Sequence, residues 1–207
     1  MSESNVQFAS ILAILALSVG SVCGIVGWVL PVGSEEGWND INFEALSLGK
    51  GASAPEQVSI LFSGNLQGLA FDGVNLAEQL YGGGEVLHGY KEGTAIYPHV
   101  HWMPTVNSSR GDITWFLEYS WANINSTYTA PVTLNVTQSV SSDAWYSMCA
   151  DFPAIDGVGY EIGSHLIFRL YRDPTVETDT YEHDAVLLSV GVHYQVNSLG
   201  SAQLCSK

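Results

Sequence analysis

The sequence predicts an all-β fold, an antiparallel jelly-roll-like β-sandwich preceded by one N-terminal hydrophobic helix. The first observation is that residues 8–32 are apolar or small and carry no charged side chain. The second is that short runs with a period of two follow this stretch, separated by turn-forming residues. The third is that no later segment has a long helical period, which favours antiparallel over alternating β/α architecture. We therefore divide the chain into a helix (1–33), a linker and first loop (34–55) and a sandwich domain (56–207).

The apolar run is long enough to cross a bilayer. At about 1.5 Å per residue it spans roughly 35 Å, against a hydrocarbon core of about 30 Å. A cleaved signal peptide is the alternative, but the leading residues, MSESNVQ, contain no Lys or Arg. The far flank is acidic as well, so the positive-inside rule predicts no orientation. Whether the segment is cleaved, spans a membrane or packs in the core of an assembly stays open.

Small residues recur on one side of the predicted helix. They are spaced three or four apart: Ala13, Ala16, Gly20, Gly24 and Gly27. Such a strip lets helices in an apolar setting approach closely, which predicts self-association, and we expect a homo-oligomer, most simply a trimer. The alternative is that Ala and Gly are simply common in membrane helices.

The composition limits the kinds of binding partner that we expect. The formal net charge is −15, with only six Lys and Arg residues, so nucleic acid is not expected as a partner. No cofactor is expected. The chain has three cysteines, Cys23, Cys149 and Cys205, and the sequence leaves open whether the last two pair.

Eight segments have the pattern of strands. The clearest is 112–122, where Ile113, Trp115 and Trp121 belong to an alternating apolar set. In the last segment the even-numbered residues from Val186 to Val196 are expected to share one face. Pro98 predicts an edge strand or a bulge. The eight predicted strands are 58–62, 86–90, 95–103, 112–122, 132–136, 145–151, 164–171 and 185–196.

Six Trp and ten Tyr are many for this length. They either fill the core of the sandwich or form an exposed surface for sugar stacking or protein binding. The candidates for such a surface are Trp102, Trp121, Trp145 and Tyr119. A carbohydrate-binding surface would present a row of coplanar exposed rings.

Histidines offer the best candidate chemistry. His99 and His101 are two residues apart, so on a regular strand they point to the same face, and His193 is a candidate third ligand for a shared metal ion. The alternative is hydrogen-bonded histidines packed under a loop or at a subunit interface. A cupin-like metalloprotein would bring these histidines together in a barrel interior, with Glu118 as a further candidate ligand.

No nucleophile elbow, phosphate-binding loop or Cys/His nucleophile context is present, so we expect a protein that is not an enzyme. Three glycosylation sequons begin at Asn107, Asn125 and Asn135, all at or near predicted turns or strand ends. They are consistent with an exterior location.

Four stretches carry a resemblance: LHGYKEGTAIYPHVHW (87–102), ITWFLEYSWAN (113–123), FRLYRD (168–173) and VHYQVNSLGS (192–201). They resemble segments of uncharacterised proteins from tailed-phage and environmental viral genomes, in the same order over roughly residues 37–203. Those proteins are similar to virion-associated β-sandwich modules, so the resemblance implies a viral structural setting and no particular reaction. The N-terminal helix departs from that pattern and favours a membrane-containing virion, an anchored surface protein or an assembly with packed helices.

The sequence therefore predicts a non-enzymatic virion surface or structural protein. It would assemble through its helix and present the sandwich for attachment to a host glycan or receptor, on the virion surface or anchored outside a membrane through residues 8–32. The first alternative is a cell-surface or secreted carbohydrate-binding module. Two further alternatives are an extracellular filament subunit and the cupin-like metalloprotein.

Overall fold

The computed structural model describes residues 37–61, 65–107, 110–140 and 142–200. Over these ranges the chain forms a β-sandwich, and a three-residue 3-10 turn at Ala45–Ser47 follows the first strand. The strands are β1 (Gly37–Glu44), β2 (Gly49–Lys50), β3 (Glu56–Ile60), β4 (Leu66–Phe71), β5 (Glu78–Glu85), β6 (Ile96–Pro104), β7 (Gly111–Ala122), β8 (Val132–Val140), β9 (Met148–Asp151), β10 (His165–Arg172) and β11 (Ala185–Val196).

Two antiparallel sheets make up the sandwich. Sheet A has the order β3-β4-β11-β6-β9, and β1 also pairs with β11. Because β6 occupies one edge of β11, β1 and β4 lie one after the other along its opposite edge, against 189–196 and 185–187. Sheet B has the order β2-β5-β10-β7-β8. The predicted all-β sandwich is confirmed, and its architecture is consistent with a jelly-roll-like fold.

The predicted N-terminal helix, with its strip of Ala13, Ala16, Gly20, Gly24 and Gly27, lies outside the described residues. Within the described ranges, no helix has the length and apolar character that crossing a membrane requires.

The alternation of β7 builds the core as predicted. Ile113, Trp115 and Trp121 are fully buried between the sheets, and Leu117 lies with them. Trp115 meets Phe71 of sheet A edge-to-face, with ring centroids 5.1 Å apart. Aromatic pairs in this arrangement add about 0.5–1.5 kcal/mol beyond the area they bury. The two sheets are therefore joined by large rings from a strand whose pattern is plain in the sequence.

The last strand changes faces halfway. Its pairing with β6 shifts between Leu187 and Ser189, so a bulge interrupts the alternation. Val190 and Leu187 belong to the main core, whereas Val186 belongs to a separate cluster on the other face of sheet A. The prediction that the even-numbered residues from Val186 onward share one face is wrong, because the extra residue at the bulge turns the first half of the strand over.

Several predicted boundaries are also wrong. The stretch 34–55, expected to be a linker, contains β1 and β2. The segment 86–90 is not a strand. The strand is formed by the residues before it, in β5, which includes Gly82–Gly84 although such a triplet is typical of a turn. The strand β4 is not among the predicted strands. The sequence predicts an edge strand or a bulge at Pro98. β6 is not an edge strand, since it lies between β11 and β9, although β9 covers only His99–Trp102. The irregularity in its pairing with β11 lies opposite His101 and Trp102 and not at Pro98.

A buried arginine closes one end of the sandwich. Arg172 and Asp179 have side chains with 0 % exposure and form a two-pronged ion pair, both N–O distances being 2.9 Å. The other donors of Arg172 reach the carbonyl oxygens of Phe71, His183 and Tyr181. All five N–H groups of the guanidinium are thus used, and they join the end of β10 to β4 and to the loop that leads into β11.

Replacing Arg172 by Met should destabilise the fold by about 3–5 kcal/mol, because Asp179 would be left as an unpaired buried charge. Arg169→Met is the matched control on the same strand. Its ion pair with Glu118 is about one-third exposed, so its loss should cost at most about 1 kcal/mol. Urea unfolding of both variants measures the difference. Equal costs for the two variants would contradict the central role of Arg172.

A second buried acid predicts a pH effect. Burial raises the pKa of Glu78 above its ordinary 4.5, and the neighbouring Asp72 carboxylate adds to this. Its contribution to stability is therefore full below pH 4.5 and is lost as pH rises through the folded-state pKa. The Oε2 atom accepts a hydrogen bond from the Asp72 N–H, which a Gln side chain can also accept.

The stability of Glu78→Gln relative to the natural protein should accordingly increase between pH 4 and pH 7. Thermal unfolding across this range measures the stability difference between the two proteins. The change of this difference with pH tests the prediction, and its absolute value at pH 4 does not. A difference that is flat with pH would show that Glu78 titrates normally in the folded protein.

Candidate functional site

The outer face of sheet A carries a group of titratable side chains. Because Val100 and Trp102 of β6 point into the core, the alternating residues His99 and His101 point away from it. Register places Asp40 of β1, His193 of β11 and two β9 residues on this same face. We call this set the histidine face; its members are Asp40, His99, His101, Cys149, Asp151 and His193.

His99 lies at the centre of the histidine face. It is 1 % exposed, and its Nδ1 atom is buried. Its ring covers Gly191 on the neighbouring strand, where an added Cβ would lie 2.3 Å from Nε2. Any side chain at position 191 would therefore push the ring away. Burial lowers the pKa of His99 below the ordinary 6.5, and the neighbouring His193 lowers it further.

Asp40 lies between two of the histidines. Its carboxylate oxygens are 3.9 Å from Nε2 of His99 and 3.8 Å from Nδ1 of His193. The backbone N–H of Val192 donates to Oδ1 at 2.9 Å and holds the carboxylate over the sheet. The rings of His99 and His193 are stacked, with centroids 4.3 Å apart. The two contacts to Asp40 are longer than hydrogen bonds, so an ion or a water molecule can fit between these groups.

A second grouping shares His99. His101 packs edge-on against it with ring centroids 5.0 Å apart, and the ligand atoms of His99, His101 and Cys149 lie within 4.8 Å of one another. Cys149 carries a free thiol. The predicted set of His99, His101 and His193 is therefore gathered on one face, with Asp40 and Cys149 beside it. It lies outside the sandwich and not in a barrel interior, which contradicts the cupin-like arrangement, and Glu118 is on the other sheet, paired with Arg169.

An aromatic pocket adjoins the histidine face. Trp38 and Tyr97 are 58 % and 40 % exposed, and their rings meet edge-to-face with centroids 5.4 Å apart. Together with Asp151, Phe152 and His193 they line a pocket of about 530 Å³. We call it the Trp38 pocket. Its size falls within the roughly 300–1,000 Å³ of small-molecule sites.

Sheet B has a smaller pocket of about 270 Å³, lined by Tyr81, Glu118 and Arg169 among others. Here the polar groups already bind one another. Arg169 pairs with Glu118 at 2.9 Å, donates to Gln79 at 3.0 Å and stacks on the Tyr171 ring. The Trp38 pocket is larger. Within the described ranges, the side-chain contact to its Asp151 carboxylate is a long one, 3.8 Å from the Cys149 thiol.

The predicted aromatic binding surface is wrong. Trp102 and Trp121 have 0 % exposure, because they occupy the inward positions of β6 and β7. Tyr119 also points inward and packs against the core, and Trp145 packs against the cluster of Val186. The exposed ring pair beside the histidine face is instead Trp38 and Tyr97, which are not among the predicted surface residues. The signal for Trp38 is weak in the sequence, because the residues around it have the composition of a linker.

The three sequon asparagines, Asn107, Asn125 and Asn135, are all exposed. Asn125 has a positive φ of 60° in the turn after β7, and Asn135 is on the outer face of β8. Glycans at these positions remain a prediction.

Comparison with known proteins gives no family. No protein-family model and no curated protein matches the sequence. Among solved structures, a CBM36-1 domain of a xylanase from the hindgut metagenome of Trinervitermes trinervoides has a TM-score of 0.39 at 14 % identity, covering 80 % of this chain and all of that one. The CBM22-2 xylan-binding domain of Paenibacillus barcinonensis Xyn10C has a TM-score of 0.40 at 13 % identity, covering 76 % of this chain and 91 % of that one.

A third solved structure, from the Gx strain of infectious bursal disease virus, has a TM-score of 0.35 at 10 % identity, covering 77 % of this chain and 32 % of that one. Because these TM-scores are all 0.40 or lower, none of the likenesses carries an argument about function.

The Cys149 thiol should react slowly with alkylating reagents at neutral pH. Desolvation raises its pKa from 9.0 to about 11, and the Asp151 carboxylate adds to this, although the residue as a whole is exposed. Only about one thiol in a thousand is then ionised at pH 8. The rate with iodoacetamide should rise about tenfold per pH unit from pH 8 to pH 10.

The measurement needs a Cys23→Ser, Cys205→Ser background so that Cys149 alone reports. The same protein unfolded in urea is the control and should level off near pH 9. A folded-state profile that also levels off near pH 9 would contradict the predicted shift.

Proposed function

We propose that the chain is a non-catalytic carbohydrate-binding module, and that it binds neutral sugars in the Trp38 pocket. The observation that carries this proposal is the exposed pair of Trp38 and Tyr97 at the border of a 530 Å³ pocket with polar side chains in its wall. Large exposed rings on a sheet face, beside groups that can form hydrogen bonds, are typical of a binding surface.

The chemistry of the wall suits hydroxyl-rich ligands. The apolar face of a pyranose ring can pack on the indole of Trp38, while Asp151 accepts hydrogen bonds from sugar hydroxyls and His193 donates or accepts them. Among the described residues that line this wall there is no Lys or Arg, and the whole chain carries a net charge of −15. Electrostatics therefore favours neutral glycans over uronates, sialosides or sulfated chains.

The ring geometry limits the ligand further. Trp38 and Tyr97 are inclined by 74°, so they do not form the coplanar row expected for a flat carbohydrate-binding platform. One sugar unit can stack on the indole while the phenol ring borders it. This arrangement favours a short glycan or a chain end over a long polysaccharide lying flat along the sheet.

Trp38→Ala should weaken binding of the preferred neutral oligosaccharide by about 30-fold, the effect of losing about 2 kcal/mol from a central aromatic contact. Tyr97→Ala should weaken it less, because this ring borders the ligand edge-on. A glycan array would select the ligand, and calorimetry on the full chain would give the affinities.

Tyr146→Ala is the matched control, since Tyr146 is 62 % exposed and does not line the pocket. It should leave the affinity unchanged. The proposal is overturned if no neutral glycan binds, or if all three variants bind a selected glycan as the natural protein does.

A second proposal concerns the setting of this binding. The resemblance to virion-associated proteins and the apolar residues 8–32 favour a homo-oligomer on a virion surface, with the sandwich displayed for attachment. A filament subunit with the apolar segment in the fibre core is the related alternative. Cryo-electron microscopy of native, detergent-free material tests both. An ordered virion or filament would support assembly, and dispersed particles in membrane would count against it.

A further inference from the structure

We propose that Asp40, His99 and His193 form a binding site for a divalent transition-metal ion of the Zn²⁺ type on the outer face of sheet A. The three residues come from β1, β6 and β11, which are neighbours in the sheet. Their ligand atoms lie within 4.8 Å of one another. The site goes beyond the proposed carbohydrate binding and does not depend on it, because metal binding is measurable without a sugar.

The donor set selects the class of metal. Two imidazole nitrogens and one carboxylate oxygen suit Zn²⁺, Co²⁺, Ni²⁺ or Cu²⁺, whereas Ca²⁺ and Mg²⁺ prefer oxygen ligands alone. Three protein ligands leave the fourth position of a tetrahedral ion to water or to a ligand hydroxyl. His193 also lines the Trp38 pocket, so that position would be near bound sugar.

The distances are close to those that a bound ion needs. In a tetrahedral site with bonds of about 2.0–2.1 Å, ligand atoms are about 3.3 Å apart. The contacts from Asp40 to Nε2 of His99 and to Nδ1 of His193 are 3.9 and 3.8 Å. Closing each by about 0.5 Å requires rotation of the Asp40 carboxylate and of the His193 ring, which has to turn out of its stack on His99 so that its nitrogen lone pair faces the ion. His193 is exposed and the Asp40 side chain is 35 % exposed, so both have room to rotate.

The fixed member of the site is His99. Its ring is held between strands by burial and by the absence of a side chain at Gly191. The Val192 N–H donates to Oδ1 of Asp40 at 2.9 Å, which keeps the carboxylate beside the His99 ring. The buried His99 imidazole and a carboxylate almost 4 Å away leave room for an ion, which Asp40 and His193 reach by rotation of their side chains.

The test is titration of full-length, tag-free protein with Zn²⁺ by calorimetry, and with Co²⁺ by visible absorption. We expect one ion per chain and an absorption spectrum of low-coordinate Co²⁺. His193→Gln and Asp40→Asn should each weaken Zn²⁺ binding at least 100-fold. These two side chains are exposed or partly exposed, so their variants keep the test valid if His99→Gln fails to fold.

Control variants distinguish this site from nonspecific histidine binding and from the neighbouring group. His165→Gln removes an exposed histidine on the other sheet, and it should leave Zn²⁺ affinity unchanged within about threefold. His101→Gln and Cys149→Ser test the neighbouring group, and they should have a similarly small effect. Gly191→Ala should weaken binding by displacing the His99 ring.

The proposal is overturned if no stoichiometric ion binds, if every histidine variant weakens binding equally, or if His101 and Cys149 are required while Asp40 and His193 are not. Because no sugar is present in this experiment, loss of metal binding is distinguishable from failure of the carbohydrate proposal, which the Trp38 variants test separately.

Discussion

The guanidinium of Arg172 is the interaction on which the closed end of the sandwich depends. Burying a charge is costly unless the charge is paired and every hydrogen-bond donor is satisfied. Here one carboxylate pairs with the guanidinium, and three backbone carbonyls accept its remaining hydrogen bonds. The carbonyls belong to β4 and to the loop before β11, while the arginine ends β10. A single side chain thus fixes the distance between the two sheets where no strand pairing links them.

The ion pair of Arg172 and Asp179 also holds the acidic loop between β10 and β11 in a defined conformation. The loop between β10 and β11 carries many carboxylates, a composition typical of a solvated segment. Asp179 is nevertheless buried, and it also accepts from the Thr114 N–H at 3.2 Å, while Thr180 and Tyr181 donate to the Asp112 carbonyl. The loop is therefore held against β7, and β11 begins from a fixed point. Since β11 is the central strand of sheet A, the position of His193 depends in turn on this anchoring.

The predictable and unpredictable parts of the fold differ in a physical way. The bounds of β7 follow from alternation, because one face of the strand is buried and its apolar residues recur with a period of two. The bounds of β11 follow from its run of apolar residues, although its core-facing side changes at the bulge. β1 and β5 are not predicted because their sequences do not show a clear period-two pattern of apolar residues. β5 contains Gly82–Gly84 where large core and surface side chains occupy the space that a Cβ would need, as at Gly82 against Phe168. Glycine is there a packing requirement, although in a sequence it indicates a turn.

The site was only half predictable for a related reason. That His99 and His101 share a face follows from their spacing, but which face it is depends on the neighbours Val100 and Trp102 being the core residues. If Trp102 is taken as a surface residue, as the aromatic pattern suggests, the two histidines are placed on the inner face of the sheet instead of the outer face. The partners of His99 come from β1, β9 and β11, strands that are far away in the chain. Their proximity depends on sheet order, which local patterns do not contain.

The register of β1 decides whether either proposed site exists. Pairing Asp40 with His193 and Trp38 with Gln195 places both side chains on the outer face, beside Tyr97 and His99. A slip of one residue would turn Trp38 and Asp40 into the sandwich and bring Asn39 and Ile41 outward, removing the aromatic pair and the carboxylate together. Ile41 and Phe43 oppose this slip, because both pack against the core from the inner face. The apolar half of β1 thus holds its polar half in position, and one strand of eight residues links the core to the face where Trp38, Tyr97, the histidines and the carboxylates meet.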